Sequence, residues 1–157
     1  MNKKVLHVLE YDKIISKLSE DASSPLGQKL CNNLLPSVDI YEIRRNQAET
    51  SDALTRVRQK GSISFSGLKD VTDSLKRLEI GSSLNIAELL SVSSVLTISA
   101  RAKAYGRHEE SQLPADTLEE MFSMLEPLTP LNTEIKRCIL SEDEISDDAS
   151  PGLRHVR

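Results

Sequence analysis

The sequence has no tryptophan and its aromatic content is 3%, so any core must be built from Leu, Ile, Val and Ala. It has two cysteines, Cys31 and Cys138, far apart and in no C-x-x-C pair. That spacing suggests two reduced structural thiols rather than a disulfide or a metal site. The six glycines are scattered, with no G-x-x-x-x-G-K-[ST] run to cradle a phosphate. No G-x-S-x-G elbow offers a setting for a serine nucleophile. His7, His108 and His155 share no ligand spacing with one another or with the cysteines, and read as surface or rim residues. No apolar run approaches the ~18 residues of a membrane span. The start, Met1-Asn2-Lys3-Lys4-Val5-Leu6-His7, is basic and then amphipathic, without the continuous apolar stretch of a secretory signal. The chain therefore reads as cytoplasmic, with no membrane partner.

A length of 157 residues is enough for one domain with a real core. The net charge of −4 conceals an asymmetry. Residues 1–108 carry 16 Lys+Arg against 12 Asp+Glu, a balance of +4, whereas residues 109–148 carry 2 against 12, a balance of −10. A phosphate-binding surface needs clustered positive charge. The first part offers only the pairs Arg44-Arg45 and Lys76-Arg77, with Arg56, Arg58 and Lys60 placed to complement the dipole of a helix end. Arg44, Arg45, Lys76 and Arg77 are the candidate, weak, nucleic-acid contacts. The run Glu142-Asp143-Glu144-Ile145-Ser146-Asp147-Asp148 lacks the order and the turn glycine of a calcium loop and reads as a solvated acidic tip. No residue is assigned as catalytic, cofactor-binding or metal-ligating.

Periodicity and punctuation point to an all-α bundle, near 60–70% helix as a rough expectation against a ~30–35% base rate. The central helix is the most strongly marked. Asn85 is its N-cap, Glu88 completes a capping box, and Leu84 and Leu89 sit at the staple positions. Ile86, Leu89, Leu90, Leu96, Ala100 and Ala104 share one face, which Val92, Val95 and Ile98 widen. So broad an apolar surface belongs among other helices.

Before it, helices are expected over residues 3–9, Tyr11 to Ala22, and Pro25 to about Leu34 with Ser24 as cap. A longer one runs from the cap Asp39, boxed by Glu42, to about Lys60, and Gly61 stops it. A helix starting near Asp70 carries Val71, Leu75 and Leu78, closed by Gly81. After the central helix comes a polar loop over Glu109–Leu113. A helix from Pro114 follows, with Leu118, Met121, Phe122 and Leu125 on its core face, and then a short helix with Leu131, Ile135 and Ile139. A small β-hairpin is expected near 138–147, and Ser150-Pro151 opens a last helix. Because that helix is capped and then cut after about two turns, the chain reads as a fragment trimmed inside a longer helix.

The order of several short elements resembles one family. Leu9-Glu10-Tyr11-Asp12-Lys13-Ile14-Ile15, Ser24-Pro25-Leu26-Gly27, Leu34-Leu35-Pro36-Ser37 and Arg45-Asn46-Gln47-Ala48-Glu49-Thr50 are similar to the start of the second bacterial MutS paralogue, the endonuclease MutS-two family. Gly67-Leu68-Lys69-Asp70, Leu75-Lys76-Arg77, Ile80-Gly81, Cys138-Ile139 and Asp148-Ala149-Ser150-Pro151 continue the resemblance over nearly the whole chain. It implies a core domain at 1–149 and the start of a truncated lever helix at 150–157. The full protein would be a homodimeric clamp ATPase using ATP and Mg, with a C-terminal Smr-type nuclease. Its partners would be branched DNA, the ribosome, or both, and its roles suppression of homologous recombination or rescue of stalled ribosomes. None of the family's ATPase or nuclease motifs falls within these residues, so no catalytic residue carries over. A stand-alone helical protein-interaction module is the alternative.

Overall fold

The computed structural model describes residues 3–107 and 116–156. It is 66% helical with one two-stranded antiparallel sheet, the all-α class with the expected hairpin. Among the described residues the order is α1 (Lys3–Val8), α2 (Tyr11–Glu20), α3 (Pro25–Asn32), α4 (Ile40–Lys60), α5 (Thr72–Glu79), α6 (Ile86–Gly106), α7 (Glu119–Ser123) and α8 (Thr129–Cys138). The hairpin β1 (Ile139–Ser141) and β2 (Glu144–Ile145), a 3-10 turn (Asp147–Ala149) and α9 (Pro151–Val156) follow. No described helix is long and apolar enough to cross a membrane. The chain divides into two compact units, one formed by residues 1–66 and 106–123, the other by 67–105 and 124–157.

In the first unit α1 packs on α2 and α2 on α3. The Ser24 hydroxyl caps α3 by accepting from the Gly27 N–H at 3.1 Å. Asp39 caps α4 as expected, accepting from the N–H groups of Tyr41 and Glu42. The reciprocal half of that box does not form. Glu42 accepts from the Ser37 hydroxyl instead, and the Asp39 N–H donates to the same Ser37 oxygen at 3.1 Å. Ser37 lies close enough to serve both groups, so the glutamate has no need to reach back.

Arg56 departs further from expectation. It is no helix-end cation: it is the buried residue of α4, 3% exposed. Its guanidinium forms a two-pronged pair with the Asp116 carboxylate, 2.6 Å at Nη2–Oδ1. It also donates to the Gly106 carbonyl at 3.3 Å and lies 5.2 Å from the centre of the Phe122 ring. One turn earlier, Asp52 accepts from the Thr117 N–H at 2.9 Å and the Thr117 hydroxyl at 2.7 Å. Asp52 and Arg56, at i and i+4, thus bind the 116–117 strip to α4. A Cβ on Gly106 would fall inside the Phe122 side chain, which is why glycine ends α6. The helix expected from Pro114 is shorter where it is described. Leu118 precedes α7 in a turn and Leu125 follows its end, because Asp116 is committed to Arg56 and to the Leu118 N–H. Pro114 itself and the Glu109–Leu113 loop lie outside the described residues.

The second unit is organised by α6. Its capping box is complete: the Glu88 N–H donates to Asn85 Oδ1 and the Asn85 N–H to Glu88 Oε2, both at 2.9 Å. Asn85→Ala should lower stability by about 0.5–2 kcal/mol and Asn85→Gly by only a few tenths, since a glycine cap loses less. Denaturant melts of the two variants check this order.

The buried residues of α6 include Ser93, Leu96, Ile98 and Ala102, whereas Ala104, assigned to the core face, is exposed. A helix that is apolar nearly all round has no stripe to mark its deepest side, and its neighbours decide. Here the neighbour is α8. Ser93 Oγ donates to Asn132 Oδ1 at 2.7 Å, and Asn132 Nδ2 donates to Thr97 Oγ1 at 3.0 Å, a polar bridge that fixes how α8 lies on α6. Val71, placed inside α5, is its N-cap residue instead, and Asp70 accepts from the Thr72 N–H at 3.1 Å. The hairpin pairs Ile139 with Ile145 and Ser141 with Glu144 across an irregular register.

Candidate functional site

The four candidate cations do not share a unit. Arg44 and Arg45 stand on α4 in the first, Lys76 and Arg77 on the last turn of α5 in the second. Three are engaged within the chain. Arg45 lies 3.7 Å from the half-buried Glu49 on α4, and Lys76 lies 3.2 Å from Asp73 in an exposed pair on α5. Arg77 is structural: it binds Glu88 at 2.5 Å and donates to the Ser83 carbonyl at 3.2 Å, which ties α5 to the capping box of α6. The Arg44 side chain is exposed on α4.

The surface is more distinctive for its apolar content. In the second unit a groove of about 600 Å³ is walled by Val71, Leu75, Leu78, Leu89, Leu128 and Leu131, with Ser83 as its one polar residue. Leu75, Leu78, Leu128 and Leu131 are each about half exposed. Leu128 adopts a left-handed backbone, φ 40°, to turn the chain into α8 at the edge of the groove. In the first unit a shallower hollow of about 760 Å³ joins Tyr11, Leu34, Leu35, Pro36 and Ile43 to a polar side of Glu42, Asn46, Gln47 and Glu49. The Tyr11 hydroxyl donates to the Leu34 carbonyl at 3.2 Å and holds that wall in place.

Among the described residues no group of three or more His, Cys, Asp and Glu side chains is arranged to hold a metal ion. His7 lies 3.8 Å from Asp12 with both side chains exposed, while His108 and the His155 side chain lie outside the described part. Cys31 and Cys138 are both free thiols. In the acidic tip Glu142, Asp143 and Glu144 face solvent, and Asp148 is bound by Arg154 at 2.5 Å. Two carboxyl groups are shifted by arginine partners. The Arg56 hydrogen bond holds the Asp116 carboxyl below the usual carboxylate range against the opposing pull of burial, and the Arg137 hydrogen bond does the same for Glu134. Both are structural pairs.

No protein-family model matches the chain. Individual relatives do. It is 57% identical to an endonuclease MutS2 of Lachnoclostridium phytofermentans over 162 aligned positions, 100% of this chain and 20% of the relative. Endonucleases MutS2 of Agathobacter rectalis and Lachnospira eligens are 48% and 45% identical, again across 100% of this chain and 20% and 19% of their own lengths. The chain thus spans about a fifth of the relatives it matches.

Proposed function

Because the chain belongs to the family of proteins named endonuclease MutS2, we propose that it forms the N-terminal helical core of a MutS-type DNA-binding ATPase and nuclease. Residues 1–149 act as the core domain and 150–157 as the start of a lever helix. Its part is structural: it transmits the nucleotide state of an ATP- and Mg-dependent site elsewhere in the protein to a clamp. The whole protein works as a cytoplasmic homodimer on branched DNA, on stalled ribosomes, or on both, and restrains homologous recombination or rescues translation.

The observation that carries the structural role is the groove of the second unit. A ligand site needs convergent polar groups to orient its ligand, and this groove offers Ser83 alone among apolar walls. Half-exposed leucines in such number fit a surface that packs against more protein. A stand-alone interaction module would use the same groove for a separate polypeptide. The relatives' fivefold greater length favours the first reading.

The cations support only weak direct binding, since Arg77 is built into the α5–α6 junction and Arg45 and Lys76 have carboxylate neighbours. The chain alone, titrated with labelled four-way-junction DNA at about 150 mM salt, where screening acts beyond ~8 Å, should show no saturable sub-micromolar binding. Residual low-salt affinity should fall steeply as salt rises and should depend on Arg44 and Arg45. Tight, salt-resistant binding would place a recognition surface in this region and overturn the structural role.

A further inference from the structure

Within the second unit the 3-10 turn at Asp147–Ala149 leads from the hairpin into α9. A helix usually takes its direction from the apolar face it buries. Here that face is slight: of the described side chains in α9, Pro151, Gly152 and Arg154 are exposed and Leu153 alone is half-buried. Ser150 caps the helix through the Leu153 N–H at 3.2 Å, which fixes its start but not its tilt.

Beside the Ser146 N–H bond to the Cys138 carbonyl at 2.9 Å, two arginine side chains take up that task. Near the end of α8, Arg137 donates Nε and Nη2 to the Glu134 carboxylate at 2.9 and 2.5 Å. The same guanidinium donates Nη1 to the Asp148 carbonyl and Nη2 to the Ala149 carbonyl, the latter at 3.4 Å. From the far side Arg154 of α9 returns to the Asp148 carboxylate, 2.8 Å from Nε and 2.5 Å from Nη2. Asp148 is gripped at its carbonyl from α8 and at its carboxylate from α9.

We propose that Arg137 is the positioning residue that sets the direction of α9 relative to α8 within the second unit, through a polar joint that can loosen without unfolding the helices on either side of it. An exposed ion pair adds little to global stability. Orientation is a different matter, because Leu153 is the one apolar side chain of α9 that is half-buried among those described. Only a guanidinium serves this geometry: its planar fork reaches one carboxylate and two carbonyls together, whereas a lysine is a single point of charge. The depression of the Glu134 carboxyl by Arg137 agrees with a formed pair. The joint's meaning for transmission rests on the core-and-lever reading above. The joint itself does not, and it can be tested without nucleotide or nucleic acid.

The test is residual dipolar coupling of the ¹⁵N-labelled chain in an uncharged alignment medium. In the parent, the amides of α8 and of residues 152–156 should fit one alignment frame. In Arg137→Ala the α9 couplings should fall by about twofold or more through added motion, while those of α8 and the circular dichroism spectrum stay as in the parent. Arg137→Lys should resemble Arg137→Ala. About 1 M salt, with screening at ~3 Å, should loosen the parent in the same direction. Three results would overturn the proposal: α9 couplings near zero in the parent, α9 couplings unchanged in Arg137→Ala, or loss of the α8 couplings along with those of α9. Nucleic-acid binding by the chain would bear on the functional reading alone.

Discussion

Asp116→Ala should be among the most damaging single changes, costing about 3–5 kcal/mol, the range for removing one partner of a buried ion pair. The asymmetry of the pair decides which partner matters more. The Arg56 side chain is 3% exposed and that of Asp116 is 18% exposed. Removing the carboxylate takes the two-pronged acceptor away from a buried guanidinium that cannot deprotonate. Removing the charge from the other side, as in Arg56→Met, leaves a carboxylate that still accepts from the Leu118 N–H at 3.0 Å and is closer to water. Arg56→Met should therefore cost less than Asp116→Ala, although both lose the clasp between α4 and the 116–123 stretch. Equal or reversed losses in denaturant melts would mean that Arg56 is not the centre of the first unit.

The same pair predicts an acid sensitivity of definite sign. The hydrogen bond from Arg56 depresses the folded-state pKa of Asp116. A depressed carboxylate contributes stability that is present above its unfolded value, about 3.9, and lost as the pH falls through the lower folded value. The stability gap between the parent and Asp116→Asn should thus be widest near neutrality and narrow on acidification below about pH 4. A gap that does not change with pH would assign the pair's contribution to packing alone.

What could be read in the sequence was local. The caps at Ser24, Asp39 and Asn85 are visible because an N-cap depends on residues within one turn, and all three form. The stops at Gly61 and Gly81 hold for a similar reason, both glycines having positive φ. Side-chain partnership across the chain was not legible. Arg56 and Asp116 are 60 residues apart, so a cation in the last turns of α4 looked like a dipole partner when it was the buried centre of its unit. The one available sign was Asp52 and Arg56 sharing a helix face, an arrangement equally common on solvated surfaces. The candidate cations show the same limit. Arg77 next to Lys76 stood as a candidate weak nucleic-acid contact, yet Glu88, 11 positions on, binds it into the scaffold.

Leu96→Ala is the matching test in the second unit, and a loss of about 2–5 kcal/mol is expected. Leu96 is buried in the middle of α6, and it also forms part of the wall of the apolar groove. Those two placements pull the cost in opposite directions. A groove wall can relax into the opened space, or admit water, more readily than a sealed core, which favours the lower part of the range. Against that, the polar bridge from Ser93 and Thr97 to Asn132 pins α8 at a fixed register on α6, so α8 cannot slide inward to fill the void. Breaking the bridge to gain contact would leave buried polar groups unpaired, at about 1–3 kcal/mol each. The cavity should therefore persist, and Leu96→Ala should fall in the middle of its range. Ala104→Ser, on the exposed side of the same helix, should stay within about 0.5 kcal/mol of the parent. If Leu96→Ala melts with the parent while Ala104→Ser does not, α6 is rotated from the orientation described and the groove belongs to its other face.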